Sequence, residues 1–544
     1  MLKNNLRYIP LLFLLILISC AKRGSITGGT KDTLAPILRT SYPKNFSTNF
    51  KGDIITLNFD EYIKLKDVNK QLIISPPMEK APTISPTTAS RTITIKLNEP
   101  LLPNTTYSFN FGKSIEDNNE NNPYQQFKYV FSTGPFIDSL KLGGTIKDAL
   151  SKTTDNYVSV MLYEADSKLK DSVIYKNVPR YVTNTLEGNA FLLENLKAGK
   201  YLLVAMKDVN SNNKFNPSED KIGFHKEYVT IPTDTLYEIE LFKETPAFKT
   251  LKPSQASGNR LTIGYEGKPK DLKIVLKKGN DILPTIVTKL PEKDSVQVWF
   301  TPIKADSLRL AVTNENYKND FVFKLKNQKK DTLKFTPKQK GDLPLREKFT
   351  LIASRPLIKF DNSKIKITNK DAVVVGFKTE YDEFTQELKF DFEKEPLQKY
   401  EFTILPGAMT DYLEETNDSL SYKLNTKNTS DYGNLRVVLQ NVRQFPVIVE
   451  LTNEKGEVIL SGYSEKETTV DFNYIIPSLY TLRVIYDENK NKEWDSGSYL
   501  EKRQTEEVIY FPKQIDVRAN WDVEQVFDLG FKTSASTSSA PEKK

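Results

Sequence analysis

The residues in this chain best suited to chemistry are Asp208, Asn210, Asn212 and Glu219, at the first, third, fifth and twelfth positions of one stretch. A second stretch repeats the spacing with Asp487, Asn489 and Asn491, then places Asp495 ninth and Ser498 twelfth. Oxygen donors alternating in this way can wrap a hard cation such as calcium. Two of the four side chains in the first loop are charged, so the expected affinity is weak, about 10⁻⁴ to 10⁻³ M. The glycine that a tight cation loop places sixth is missing, and Asn213 stands there. A plainer reading therefore stays open, in which Asp and Asn cap a turn through side-chain to backbone hydrogen bonds. The two stretches align without a gap over 200–215 and 479–494, pairing Tyr201 with Tyr480, Leu203 with Leu482 and Phe215 with Trp494. Each is an apolar, strand-like run that ends in an Asx-rich hairpin tip.

Other chemistry is harder to find. The one histidine, His225 in Gly223-Phe224-His225-Lys226, can fill neither two roles of a triad nor a multi-histidine zinc site. It reads as an exposed residue at a strand end. No glycine-rich phosphate loop precedes a helix, and acidic pairs such as Asp60-Glu61 fall where turn and surface roles suffice. The 77 basic and 70 acidic residues nearly cancel to +7, and Lys alternates with Asp, Glu and Thr instead of gathering into a stripe. That pattern serves solubility and excludes a nucleic-acid partner. The expectation is a non-enzymatic protein whose one candidate cofactor is calcium.

An Asp, then Ser or Thr, then an apolar residue recurs eight times, more often than composition would scatter it. The hydroxyls are Thr33, Ser139, Ser172, Thr235, Ser295, Ser307, Thr332 and Ser419. The triplet resembles the O-glycosylation sequon of Bacteroidota, which implies glycans at these eight positions. The alternative, a turn Asp opening a strand, fits equally, since apolar alternation follows every triplet.

The elements that must position these loops are strands. Hydrophobic residues make up 38% of the 544, with 26 Tyr and 30 Phe, a β-rich globular composition with room for three to five cores. The first residues differ. Lys3 and Arg7 precede a short apolar run, residues 9–18, too short to span a bilayer. The run closes on Leu17-Ile18-Ser19-Cys20, which resembles the lipobox of bacterial lipoproteins and implies cleavage before Cys20 and its acylation. Cys20 is the only cysteine, so no disulfide competes for it. Residues 1–19 thus read as a lipoprotein signal peptide, 20–35 as a flexible tether and 533–544 as a disordered tail.

Between tether and tail the chain reads as all-β, a multidomain string of sandwiches. Phe59-Asp60-Glu61, Leu102-Pro103-Asn104-Thr105-Thr106-Tyr107, Ile115 with Asp117, and Phe131-Ser132-Thr133 follow in the order of the bacterial Ig-like domain of the SbsA surface-layer type. This resemblance covers 36–133 and implies a structural or spacer module. A weaker echo, with Tyr400, Met409, Asp411 and Thr426, marks a second Ig-like domain at 343–427, preceded by Gly341-Asp342-Leu343-Pro344 as a linker. The two loop-bearing repeats, 138–245 and 431–531, resemble transthyretin-like or carboxypeptidase-regulatory-like sandwiches. Residues 250–340 form a middle β domain of no assigned family.

The resulting expectation is a lipid-anchored, non-enzymatic structural or binding protein of the outer membrane. Lys22 after Ala21 favours that membrane over the inner one and leaves the leaflet open. Its partners would be other envelope proteins, in outer-membrane protein biogenesis, secretion or adhesion. The alternative is a carbohydrate-binding lipoprotein of a nutrient-uptake system, stacking sugars on exposed Tyr and on Trp299, Trp494 or Trp521.

Overall fold

The computed structural model describes residues 32–166 and 170–530. Cys20, the signal peptide, residues 20–31 of the tether and the tail lie outside the described residues. Strand accounts for 49% and helix for 3%, so the protein is all-β, as its alternating sequence requires. Two compact units form. The first runs to Lys141 and takes in Arg180–Leu186 and Leu193–Lys197; the second holds Leu142–Pro179, Glu187–Leu192 and the chain from Ala198 onward.

In the first unit, Leu38–Tyr42, Ile54–Leu65, Ser90–Lys96 and Thr83–Ser85 form one sheet in that order, with Ile115–Asp117 paired to Ile54–Leu65. Ile73–Ser75, Thr106–Asn110 and Lys128–Ser132 form the other. Side chains alternate across a strand, so Ile55, Leu57, Phe59 and Ile63 point into one core, where they meet Ile93, Ile95, Phe109 and Phe131. Burying each such side chain stabilises the fold by about 1.5–3 kcal/mol. A tyrosine corner fixes one end. The Tyr107 hydroxyl accepts from Leu102 N–H at 2.9 Å, while Thr133 Oγ1 accepts from Thr105 N–H at 2.9 Å and donates to the Leu102 carbonyl at 2.7 Å.

The domain around Tyr400 repeats this corner on different residues. Tyr400 accepts from Glu395 N–H at 2.8 Å, and Thr426 Oγ1 accepts from Gln398 N–H at 2.9 Å and donates to the Glu395 carbonyl at 2.6 Å. Asn104 and Leu397 hold equivalent left-handed positions, with φ of 48° and 54°. The fold thus recovers the motif although Leu-Pro-Asn-Thr-Thr has become Glu-Pro-Leu-Gln-Lys.

Two boundaries differ from the sequence reading. Gly341–Asp342 is not linker: it pairs in parallel with Leu424 and Asn425, and Leu343 is fully buried in this domain's core. Phe335–Pro337, assigned above to the middle domain, pairs with Leu351, Ile352 and Ala353 of the domain around Tyr400. Phe335–Pro337 is the edge strand of its sheet, where the N–H that Pro337 lacks interrupts no ladder. The middle domain is a separate sandwich around Leu261, Val298, Leu310 and Val312.

The two loop-bearing repeats share one plan. The last strand runs parallel to the first in both: Leu236–Leu241 pairs with the stretch from Gly143 to Asp148, and Asp522–Asp528 with that from Asn434 to Gln440. The strand leading into the loop, Gly199–Lys207 or Ser478–Tyr486, lies antiparallel to Ser159–Glu164 or Val447–Thr452.

Two substitutions test the corner. Leu397→Asn, at an exposed left-handed position that asparagine tolerates, should stabilise the domain around Tyr400 by about 1 kcal/mol. Tyr400→Phe, which strands the Glu395 N–H, should destabilise it by about 1–2 kcal/mol. Urea unfolding of each variant measures both signs.

Candidate functional site

Both loops leave the end of a buried strand, and each opening aspartate accepts from the backbone of the turn just beyond it. Asp208 Oδ2 accepts from Asn213 N–H at 2.6 Å, and Asn212 Oδ1 accepts from Lys214 N–H at 2.8 Å. In the second loop Asp487 accepts from Asn491 N–H at 3.1 Å and from Lys492 N–H at 2.9 Å. The missing sixth-position glycine does not prevent the turn. Asn213 and Lys492 adopt its left-handed backbone at φ 56° and 66°, and Ser211 and Lys490 do the same two residues earlier.

The structure brings Asn210 to Glu219, with Nδ2 2.6 Å from Oε2, and leaves both exposed. It brings Asn489 and Asn491 to Asp495, whose Oδ2 accepts from the two amides at 2.6 and 2.7 Å. Ser498 stands outside this group, bridged instead to Arg503. Among the described residues no group of three or more His, Cys, Asp or Glu is disposed to hold a metal. Any cation here would rest on mixed amide, carboxylate and carbonyl oxygens. One atom is left over: Asp208 Oδ1 is buried with no hydrogen-bond partner.

Each loop is closed by a carboxylate that the spacing did not reveal. Fully buried Asp220 accepts from Val209 N–H at 2.9 Å and Asn216 N–H at 2.8 Å. Glu506 accepts from Glu488 N–H at 2.7 Å and Asp495 N–H at 2.9 Å. Val209 and Glu488 each follow the opening aspartate by one residue, and Asn216 and Asp495 by eight. The same two backbone groups are therefore clamped in both copies, from carboxylates at unrelated chain distances. Sequence reasoning missed both: adjacency to Glu219 was the one local signal for Asp220, and Glu506 had none.

Burial pushes the Asp208 carboxyl above its ordinary range, and the Asp220 charge adds to this against the lowering by the N–H groups of Asn213, Asn212 and Ser211. Burial likewise raises Glu506, and Asp495 and Asp487 reinforce the shift.

The remaining candidates are dispersed. His225 Nδ1 lies 2.8 Å from the Glu227 carbonyl, its ring edge-on to Tyr237. Trp299 is fully buried, Trp494 is half-buried with Nε1 donating to the Glu506 carbonyl, and Trp521 is 53% exposed beneath Arg518. Of the eight sequon hydroxyl residues, Thr33, Ser139, Thr235, Ser307, Thr332 and Ser419 are exposed, and Ser172 and Ser295 are half-buried.

A raised carboxyl pKa means that the folded state holds a proton the unfolded chain releases, so stability falls as pH rises through the interval between the two values. Acidification from neutral pH toward the ordinary carboxylate range should therefore raise the melting temperature. Glu506→Gln should flatten that slope in a thermal melt series. Below the ordinary carboxylate values of 3.8 and 4.5 the trend reverses, as Asp117 and Glu415, held low by their partners, take up protons.

No curated protein matches the chain in sequence. Solved structures with local likeness include the S-layer protein rSbsC(31-844), at 12% identity over 89% of this chain and 67% of that one, TM-score 0.16. The mouse nectin-like molecule 4 ectodomain follows at 11% identity, covering 54% and 95%, TM-score 0.13. Salmonella alpha-2-macroglobulin reacted with methylamine shows 10% identity, covering 88% and 42%, TM-score 0.15. Residues 32–133, which hold the first tyrosine corner and the buried Asp117, match the bacterial Ig-like domain family.

Proposed function

We propose that this protein is a lipid-anchored, non-enzymatic component of the bacterial outer envelope, in which β-sandwiches present binding surfaces to other envelope proteins. The supporting observation is the bacterial Ig-like domain at 32–133, which follows the lipobox-like Leu17-Ile18-Ser19-Cys20 after a short polar tether. Two or three acyl chains, at roughly 0.8 kcal/mol per buried CH₂, would hold Cys20 in a bilayer for long periods. The carbohydrate reading retains one open indole, Trp521, since Trp299 is enclosed and Trp494 is tied to its own loop. A pull-down with the tether intact separates the two: envelope membrane proteins support the first, and retention on a glycan array supports the second.

Cys20→Ala should move the protein from the membrane to the soluble fraction without changing its melting temperature. Membrane association that persists in the variant at high salt would overturn the anchor. Mass spectrometry of the extracted wild type would also report the second modification in this reading, O-glycans on the exposed Asp-Ser/Thr triplets. Unmodified peptides across Ser139, Thr235 and Ser307 would leave those triplets as strand openings.

We also propose calcium as a structural ligand of the Asx loops, supported by the unpartnered, buried Asp208 Oδ1 and by the recurrence of the triad. The ligands would be Asp208, Asn210, Asn212 and Glu219, with Asp487, Asn489, Asn491 and Asp495 forming the weaker second site. At a calcium concentration equal to the dissociation constant the gain is about 0.4 kcal/mol, and it grows above that. Melting in millimolar calcium against chelator should show an upward shift in wild type that Asp208→Ala abolishes. No shift in wild type leaves the loops as turn caps.

A further inference from the structure

The two repeats differ most in the segment between the Asx loop and the next strand. From Asp208 to Lys221–Phe224 is 13 positions, and from Asp487 to Val508–Val517 it is 21, so the second repeat carries eight more. Those extra residues form a small hairpin, closed by Ser498 N–H to the Arg503 carbonyl at 2.8 Å and Arg503 N–H to the Ser498 carbonyl at 3.0 Å. The hairpin leaves its own sandwich and lies on the first repeat. Ser496 Oγ donates to the Lys243 carbonyl, and Tyr499 N–H donates to Glu244 Oε1. Gln504 Nε2 reaches the Phe224 carbonyl at 3.1 Å, and Thr505 Oγ1 reaches Glu240 Oε2 at 3.3 Å.

The tip of this contact is Tyr499, fully buried although it sits on a surface hairpin. Its ring meets Phe224 edge-on at 5.4 Å and Tyr175 at 6.4 Å, and Lys502 Nζ lies 3.8 Å from its centroid while pairing with Asp171 at 2.8 Å. Gly497 is what allows the approach: a Cβ there would stand 2.6 Å from Phe242 Cζ and 2.9 Å from the Arg503 carbonyl. The base of the hairpin is fixed by Glu506, the same carboxylate that clamps the Asx loop.

We propose that the hairpin 495–506 is an intramolecular latch, with Tyr499 as the plug and the Tyr175, Phe224 and Phe242 surface of the first repeat as its receptor. A buried aromatic anchor surrounded by polar contacts is the arrangement that concentrates contact energy in one residue. The latch and its receptor open together as one local unit, ahead of the sandwich cores, and the open state presents the aromatic receptor to solvent.

Hydrogen–deuterium exchange on the full chain tests this by reciprocity. Tyr499→Ala should speed exchange about tenfold in the receptor strands, residues 222–225 and 240–244, and leave 399–404 of the domain around Tyr400 unchanged. Glu244→Ala, on the receptor side, should speed exchange in 496–505. Leu500→Ser, at an exposed tip position, should do neither. If Tyr499→Ala instead loosens its own strand 478–486, the Glu244→Ala arm decides, since that change lies in the other sandwich. Unchanged exchange in 496–505 in Glu244→Ala, or equal acceleration by Leu500→Ser, overturns the latch.

Discussion

A carboxylate can accept several backbone N–H groups at once, and the ends of these sandwiches depend on that capacity. Where a strand leaves its sheet, the ladder stops and consecutive N–H groups turn inward, at a cost of about 1–3 kcal/mol each if left unpaired. Asp117 takes four of them, from Asn119, Glu120, Asn121 and Asn122, and stays below the ordinary carboxylate range: burial pushes it up, and the four N–H groups outweigh burial. Asp411 takes those of Leu413 and Glu415, while Asp220 and Glu506 each tie the two ends of an Asx loop. The strands supply the cores, but these acids decide where each strand stops and which way the chain leaves.

The same capacity set how much of the molecule was legible in its sequence. Strand runs such as 261–265 and 308–312 were legible because burial on one face forces a period of two. The Asx triads were legible because the turn demands side-chain acceptors at fixed offsets from its own backbone. Glu506 was not, because a clamp need only reach the N–H groups in space, and nothing fixes its distance along the chain. The second corner was obscured for a related reason. Its hydrogen bonds run to backbone at Glu395 and Gln398, so only Tyr400 and Thr426 had to persist, and they keep the 26-residue separation of Tyr107 and Thr133. Gly341–Asp342 looked like a linker because its partner strand lies some 80 residues later.

Duplication with divergence also accounts for how the sandwiches meet within the second unit. Tyr499 joins the second loop to the first repeat, and a second contact lies beside it. There Arg483, paired with Glu450 at 2.6 Å, donates to the Leu150 carbonyl at 3.0 Å, and Tyr510 donates to the same carbonyl. The first repeat accepts through backbone carbonyls at Leu150, Phe224 and Lys243 and through the carboxylates of Glu240 and Glu244, while its Lys152 Nζ donates the other way, to the Pro512 carbonyl at 3.1 Å. The carbonyl contacts tolerate sequence change on the acceptor side; those to Glu240 and Glu244 do not.

The two domains that carry the tyrosine corner diverge in the same way around their buried aspartates. Ile63 opposite Asp117 corresponds to Leu357 opposite Asp411, so Glu61 and Arg355, two residues earlier, hold matching positions. In the first copy burial raises the Glu61 carboxyl, and the charges of Asp117, Asp60, Asp32 and Glu120 add to the shift. In the second, Arg355 is fully buried and its Nη1 lies 2.6 Å from both Asp411 and Glu415. A buried pair of this kind gains little net stability, because desolvation offsets the attraction, so its consequence is orientation. Asp411, held by Arg355, precedes Tyr412. The Tyr412 hydroxyl accepts from Asn259 Nδ2 at 2.6 Å, and its ring stands 6.1 Å from Trp299 of the middle domain. The charge that Arg355 adds to this turn therefore aims the residue on which the neighbouring domain rests.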